Sequence, residues 1–375
     1  MCMGLTLLVT GVGGKAEGRE LELPRTISCG SWGSPAGHMQ GIVCDDENRF
    51  MYASFTDRLV KIDMKTGEIV ASVTGLLSGG IYGGGAHLGD LAFYQGKVYG
   101  SLEYKAAEKF YVAVFDVSKM TAMDMDYRNS DVMSTMYMSM VVEDYVDNLS
   151  ANEHNNAVTS MGHRHGCSGI DGITFGTMPG DTSDKMYMML AYGVYANINR
   201  SDNDYQVILA FDPDTFNPMA FDQNHPHETG PAPISKLFAY TGNTSYGVQN
   251  LEFDRDTRDY WLVVYEGEKK EFPNYPVFLI DGGKAPVEQK LNLGENTSYG
   301  NMSGLTLTLK EKGSFDNNSG IWGVKKKPAS ADTGFISLGN GYFYVAESGK
   351  VNDKQFGNAL LYKVDHETCR FTKVK

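Results

Sequence analysis

Four of the eight histidines stand immediately before β-rich segments of the chain. They are His38 in the phrase HMQG, His87 in HLGD, and His163 and His165 in HRHG. Imidazoles that reach one point from separate strands can bind a transition metal without any local ligand spacing. We therefore predict His38, His87 and His165 as metal ligands, with Gln249 of the phrase GVQN completing the set.

The ligand chemistry narrows the choice of metal. Histidine nitrogens favour manganese, zinc or iron, whereas calcium prefers oxygen ligands. Calcium stays an alternative because Asp90, Asp171 and Glu252 lie close to the same segments and offer carboxylate oxygens. A structural interpretation also stays open, in which the histidines and amides fill a narrow channel and hydrogen-bond the backbone.

Groups that can move a proton lie beside these histidines. We predict Asp171, Glu347 and His163 as general acids or bases, and Arg164 as a clamp for a substrate carboxylate. Other polar residues near the ends of second strands are expected at the same place: Ser54, Ser101, Glu103, Tyr265 and Glu266. Each of these carboxylates has a simpler interpretation as a solvated charge on the rim of the protein.

Polar and aromatic side chains near the same segments are predicted to bind a substrate. They are Gln40, Asp90, Tyr246 and Asn250. Tyrosines on loops can stack on a sugar or aryl ring, and further candidates are Tyr82, Tyr192, Tyr195 and Tyr299. Most tyrosines of a β protein nevertheless pack within strands.

Residues so far apart in the chain can meet only if a repeated architecture brings them together. The segment 38–75 contains four short β-rich runs, GIVCD, RFMYASF, RLVKIDM and GEIVASV, separated by turn residues. Four meandering strands form one blade of a propeller. The pattern recurs over 86–127, 172–216, 247–283 and 334–374. It predicts an all-β fold, a β-propeller of five blades with four antiparallel strands each.

The geometry of a propeller explains why the histidines would converge. The first strand of each blade lines the central channel, so the linkers into these strands share one mouth with the hairpins between second and third strands. The third strand of every unit ends in an aspartate, and these are Asp63, Asp116, Asp212, Asp281 and Asp365. Such a residue is typical of a turn cap at one corner of a blade.

The boundaries of the propeller leave some alternatives open. We expect one propeller domain over 26–375, with 1–25 either a leader remnant or an N-terminal strand. The apolar run LTLLVTGVGG is typical of the end of a secretory leader, which favours secretion or the cell envelope. The runs GLTLTLK and GIWGVKK in the spacer 288–333 keep a six-bladed or irregular ring open. Only 132–156 has a partly helical pattern.

Composition excludes several classes of partner. The 33 basic and 46 acidic residues give a net charge of −13, which disfavours binding to nucleic acid. The longest apolar runs are shorter than the ~20 residues of a membrane helix, so no transmembrane segment is expected. The five cysteines form no CxxC pair and predict neither a zinc knuckle nor a disulfide scaffold. The oligomeric state is left open.

The phrase QGIVCDDENRFMYASF, followed by LVKIDMKTGEIV, resembles blades of the glutaminyl cyclotransferase, lactonase-like and NHL propellers. The shared residues form blades, so the resemblance implies the architecture and no active-site residue. The set of histidines plus a glutamine is similar in kind to that of oligogalacturonate lyases, whose propeller holds manganese.

These features lead to two hypotheses about function. The first is a divalent-metal-dependent lyase or hydrolase that acts on a carbohydrate or another small polar substrate at the channel mouth. The second is a non-catalytic propeller that binds a glycan or a protein partner through its loops. Convergence of the histidine nitrogens within metal-bonding distance separates them.

Overall fold

The chain folds into five β-sheets arranged as the five blades of a propeller, as the repeat predicts. The computed structural model describes residues 5–8, 20–77, 82, 85–146, 163–222, 224–293 and 302–375, with side chains from Leu23 onward. Each blade begins at the central channel and extends outward, mainly through antiparallel pairing of consecutive strands.

Blades one and two each have four meandering strands and a short fifth strand at the outer edge. Blade one consists of Met39–Cys44, Phe50–Phe55, Arg58–Asp63 and Ile69–Thr74, with Met125–Asp126 at its edge. Blade two consists of His87–Tyr94, Lys97–Tyr104, Lys109–Asp116 and Met133–Tyr137, with Met219–Ala220 at its edge.

Blades three and four depart from this regular pattern. Blade three consists of Cys167–Thr177, Met186–Val194, Tyr205–Phe211, Ser235–Tyr240, Ser303–Leu307 and Val287–Lys290, in that spatial order. Blade four has the three strands Thr244–Phe253, Tyr260–Glu266 and Val277–Ile280. The run GLTLTLK therefore extends blade three. The run GIWGVKK supplies Ile321–Gly323, which pairs with Ser314–Asp316, and neither run forms a sixth blade.

Blade five closes the ring with strands from both ends of the chain. It consists of Phe335–Gly339, Tyr342–Val351, Lys354–Asp365 and Arg370–Lys373. The strand Thr26–Trp32 also pairs with Lys354–Asp365, with Ile27 opposite Ala359. A separate hairpin of Leu5–Leu8 and Glu20–Leu23 precedes it.

The aspartates that end the third strands cap turns in all five blades, as predicted. In each case the Oδ1 atom accepts a hydrogen bond from the backbone N–H two residues later, as in the 2.9 Å bond from Lys65 N to Asp63. This local bond fixes the turn that follows the third strand, because an aspartate side chain can replace a backbone acceptor there.

Aromatic contacts join neighbouring blades. Tyr52 of blade one stacks on Phe93 of blade two, with ring centroids 6.2 Å apart. Tyr94 of blade two stacks on Phe175 of blade three at 4.3 Å. Trp261 of blade four, which is fully buried, lies 6.0 Å from Phe335 of blade five. Each such pair adds about 0.5–1.5 kcal/mol beyond the burial of its area, so the faces of the blades are firmly held together.

Helical structure is limited to short segments between strands. The single α-helix of the described chain is Ser139–Val146, within the segment whose pattern was partly helical, and residues 147–156 of that segment lie outside the described ranges. The 3-10 turns are Lys105–Ala107, Tyr127–Asn129, Arg164–Gly166, Pro213–Thr215 and Ala331–Thr333. No helix in the described residues is long and apolar enough to cross a membrane.

Candidate metal centre

The innermost strands of all five blades end around one cavity, so they run in the same direction and their starts lie together at the opposite end, the upper mouth. Three acidic or imidazole side chains converge there, His87 and Glu103 of blade two and Asp171 of blade three. One ligand atom from each residue lies within 4.8 Å of the other two. Nδ1 of His87 is 3.5 Å from Oε1 of Glu103 and 3.9 Å from Oδ1 of Asp171. We call these residues the triad.

Strand register places the first two members of the triad side by side. His87 starts the first strand of blade two and lies opposite Glu103 near the end of the second strand. Asp171 lies where the first strand of blade three departs from regular pairing, between Ile170 and Ile173. Such an irregularity redirects side chains next to functional sites. The triad is thus built on strands, which hold side chains more rigidly than loops.

Glycines allow the strands to approach the triad. A Cβ atom at Gly169, whose φ is +112°, would lie 2.2 Å from Oε2 of Glu103. A Cβ atom at Gly89 would lie 2.3 Å from the Ser101 hydroxyl, which donates a 2.8 Å hydrogen bond to the Asp171 carbonyl. Only glycine has both the backbone freedom and the lack of side chain that this approach requires.

A lysine stands in front of the carboxylates. Nζ of Lys105 lies 2.9 Å from Oε1 of Glu103, and the side chain of Lys105 is one-third exposed. The neighbouring carboxylates raise the pKa of Lys105 despite its burial, so it keeps its positive charge. The ammonium of Lys105 would compete with a bound cation, because both are attracted by the same carboxylate oxygens.

Burial controls the charges of the triad itself. It raises the pKa of Asp171 to about 8, with Glu103 adding to the rise and Lys105 opposing it. Burial also raises the pKa of Glu103, against the pull of Lys105. Burial, then Lys105 and His38, lower the pKa of His87 to about 3. The imidazole is therefore neutral at pH 7, which is the form that binds metals. Its buried Nδ1 has no hydrogen-bond partner in the described part of the chain.

The three histidines and the amide predicted as ligands have different surroundings. His87 belongs to the triad, and the ring of His38 lies 6.5 Å from the ring of His87, centroid to centroid. Gln249 donates a 3.0 Å hydrogen bond from Nε2 to Oδ2 of Asp171, so it orients a triad carboxylate. His165 is buried and packs edge-on against Phe238 at 5.1 Å, within blade three. The triad does not include it.

The residues predicted to move protons or clamp a carboxylate also have varied surroundings. Asp171 is in the triad. His163 is buried beside Tyr145, with ring centroids 4.0 Å apart, and its Nδ1 lies 2.6 Å from the Cys167 carbonyl oxygen. Arg164 forms an ion pair of 3.2 Å with Asp144 of the helix. Glu347 accepts a 3.1 Å hydrogen bond from Asn358 within blade five.

Two of the residues predicted to bind substrate lie deeper in the channel and tie blades together. Oδ2 of Asp90 accepts hydrogen bonds of 3.0 Å from the backbone N–H of both Ile173 and Leu251, which joins blades two, three and four. Oδ1 of Asp90 accepts a further bond of 2.9 Å from Leu91 N. Asn250 donates a 3.1 Å bond to the carbonyl oxygen of Gln40 in blade one. These bonds form a tie across the channel below the triad.

The other two predicted substrate-binding residues lie above this tie. Nε2 of Gln40 is 2.8 Å from Nε2 of His38. Tyr246 is 49% exposed and belongs to an aromatic rim, in which its ring lies 6.3 Å from Tyr195 and 5.9 Å from Tyr265, centroid to centroid. The rim surrounds the upper mouth on the side of blades three and four.

Glu103 was predicted to lie at this mouth but not to bind a metal, and Lys105 was not predicted to lie there. Counting back from the hairpin Gln95-Gly96 would place His87 opposite Tyr104. A register shift between Leu88 and Leu91 brings it opposite Glu103 instead, and the sequence gives no signal for this shift. Glu252 was expected near the upper mouth because it follows a blade start. It lies instead near the end of the strand Thr244–Phe253, because this strand runs along the channel from the upper mouth to the opposite end.

Comparisons with known proteins identify no family for this chain. No family model matches it, and no curated protein does. Two solved structures are similar in architecture. The PQQ domain of pyranose dehydrogenase from Coprinopsis cinerea, in its holo form, has a TM-score of 0.37 and 13% identity, covering 85% of this chain and 81% of that one. The structure of U3-55K has a TM-score of 0.37 and 8% identity, covering 92% and 83%. Similarity at this level supports no transfer of ligand or activity.

Proposed function

We propose that this protein is a divalent-metal-dependent enzyme, a lyase or hydrolase, that acts on a carbohydrate or a similar small polar substrate at the upper mouth. The observation that supports this most directly is the convergence of His87, Glu103 and Asp171 from three strands of two blades. One nitrogen and two oxygens suit manganese, zinc or iron, with calcium less favoured because of the imidazole.

The triad would hold the ion, and the surrounding residues would hold the triad. Gln249 fixes Asp171 through its amide, as outer residues commonly orient metal-binding carboxylates. Lys105 would move away from Glu103 when the ion binds, because the side chain reaches the solvent. The bound ion would polarise a carbonyl or carboxylate of the substrate, or lower the pKa of a bound water.

His38 is the residue best placed to move a proton outside the triad. Burial lowers its pKa and Asp332 opposes that effect, so the imidazole is mainly neutral at pH 7 and can accept a proton. The amide of Gln40 fixes the ring through its Nε2 atom. His163, Arg164 and Glu347 retain their predicted roles in this proposal, at a greater distance from the ion.

The aromatic rim supports a carbohydrate as the substrate. A sugar ring stacks on the face of an exposed tyrosine, and Tyr246 is half exposed beside Tyr195 and Tyr265. The same rim favours the second hypothesis, a propeller that binds a glycan without chemistry. The two hypotheses differ in the metal, because an enzyme of the proposed kind needs an ion in the triad and a pure binding site does not.

Elemental analysis and metal titration test the proposal. Protein made without a histidine tag is stripped with a chelator and titrated with Mn²⁺ or Zn²⁺. We expect about one ion per chain with wild type and none in the variant His87→Ala/Glu103→Gln. Glu347→Gln is the matched control and should bind as wild type does. If the wild-type protein binds no ion, the catalytic proposal is wrong, and binding to arrays of glycans then tests the second hypothesis.

A further inference from the structure

The opposite end of the channel, the lower mouth, contains a second candidate binding site. The innermost strands end there around a cavity of about 620 Å³. The residues that line it come from all five blades, as illustrated by Asp45, Phe93, Phe175, Glu252 and Ser337. The volume lies within the range of pockets that hold small organic ligands.

Phenyl rings form part of the wall of this cavity. Phe93, Phe175 and Phe253 come from three successive blades. A tyrosine supports each of them, because the rings of Tyr52, Tyr94 and Tyr260 lie 6.2, 4.3 and 5.0 Å away, centroid to centroid. These contacts hold the rings in place, so they form a fixed apolar part of the wall.

The charged side chains around the cavity are mostly acidic. Four carboxylates line it, against the single guanidinium of Arg255: those of Asp45, Asp46, Glu252 and Asp256. Arg255 lies 3.7 Å from Asp46, and both side chains are well exposed, so this pair is at the rim. The other three carboxylates form no ion pair among the described residues, and the charge of Arg255 also acts on Glu252.

Glu252 is the most firmly positioned of these acids. Its Oε1 accepts a 2.9 Å hydrogen bond from the backbone N–H of Ser337 in blade five. The Thr174 hydroxyl of blade three also hydrogen-bonds its carboxylate. A carboxyl group held from two neighbouring blades has a fixed direction, as a recognition group requires.

We infer that the lower mouth binds an organic cation, an ammonium group on an apolar body about the size of an aryl ring. Its charge would face Glu252 and Asp45, and its body would lie against Phe93, Phe175 and Phe253. An anion would be repelled by the carboxylates, and a neutral ligand would remove them from water without compensation. A cation is attracted both by the carboxylates and by the faces of aromatic rings.

This inference is independent of the proposed function. The tie formed by Asp90 and Asn250 lies between the two mouths, and none of the triad residues lines the lower cavity. Failure of one proposal therefore leaves the other untouched.

Binding of small aromatic probes tests the inference. Burial raises the pKa of Glu252 to about 8, so binding is measured at pH 8.5, where this group is mostly ionised. Isothermal titration calorimetry, in a buffer that contains no amine, compares 2-phenylethylammonium, neutral 2-phenylethanol and anionic 3-phenylpropionate. We expect the ammonium to bind at least about tenfold more tightly than the alcohol, and the anion not to bind. Glu252→Gln should lower the affinity for the ammonium about tenfold and leave that for the alcohol unchanged.

Control variants exclude indirect effects. Asp353→Asn removes a carboxylate from an exposed turn of blade five and should bind the ammonium as wild type does. The variant His87→Ala should also bind it normally. Phe93→Leu should weaken both the ammonium and the alcohol. Equal affinity for the ammonium and the alcohol would overturn the inference, as would a preference for the ammonium that survives Glu252→Gln, or displacement of the ammonium by Mn²⁺.

Discussion

The two mouths of the channel are built from the same five strands and differ in almost every physical respect. At the upper mouth, opposite charges are in contact, with Nζ of Lys105 2.9 Å from Oε1 of Glu103 beside the triad. At the lower mouth, three phenyl rings and a surplus of carboxylates surround a cavity of about 620 Å³. The starts and the ends of the same inner strands therefore provide two different chemical environments.

Hydrogen bonds to the side chain of Asp90 lie between the two mouths and keep them separate. Asp90 accepts three backbone hydrogen bonds from residues of blades two, three and four. Burial raises the pKa of Asp90 well above its ordinary value, and the three amides oppose this rise. A buried carboxyl group with this many donors is a structural element of the ring as well as a predicted substrate ligand.

The largest expected effect comes from removing the Asp90 carboxylate, whose hydrogen bonds lie between the two mouths. Asp90→Ala leaves three buried backbone N–H groups without an acceptor, each of which costs about 1–3 kcal/mol. We expect the free energy of unfolding to fall by at least about 3 kcal/mol in urea titrations. Asp90→Asn keeps one acceptor oxygen and should lose less. An Asp90→Ala protein as stable as the exposed-turn control Asp353→Asn would show that the tie does not hold the blades together.

A smaller effect is expected at the upper mouth, on the affinity for a metal ion. Lys105→Met removes the ammonium that competes with a cation for Glu103, so the affinity for Mn²⁺ at pH 8 should rise about tenfold, or about 1.4 kcal/mol. Lys327→Met is the matched control, because Lys327 has similar exposure and pairs with Asp332 instead. Weaker binding of Mn²⁺ by Lys105→Met would mean that Lys105 supports the site and does not compete with the ion.

The smallest effect concerns the lower mouth. Burial raises the pKa of Glu252 from 4.5 to about 8, so between these values the folded chain keeps a proton that the unfolded chain releases. This contribution therefore destabilises the fold as pH rises. As the pH rises from 5 to 9, the stability of Glu252→Gln relative to wild type should therefore increase, with most of the change below about pH 8. A difference that does not change with pH, measured by urea unfolding, would contradict the shift.

Much of the fold was predictable because its determinants are local. Each blade shows alternating apolar residues and tight turns, and the capping aspartates Asp63 and Asp116 reach backbone groups only two residues away. The closure of blade five has no such signal. The strand Thr26–Trp32 pairs with Lys354–Asp365, and no short-range pattern specifies a partner at the other end of the chain.

The candidate site was predictable only in part, because side-chain direction depends on bends in the backbone. His87 begins an inner strand and reaches the triad, with a register shift just after it between Leu88 and Leu91. His165 has a left-handed backbone with φ +55° in the turn Arg164–Gly166, which directs its ring into blade three. Equivalent positions before a blade therefore do not guarantee equivalent directions. Gln249 was chosen as a ligand from its spacing, and it contacts the neighbouring Asp171.

Closure of the ring by Thr26–Trp32 also orders events during synthesis. Because the strand Thr26–Trp32 pairs with Lys354–Asp365, all five blades must be synthesised before this strand can pair. The bond between Asn250 and Gln40 likewise requires blades one to four. Until blade five is complete, the ring is open, and the strands at the opening have backbone groups without partners.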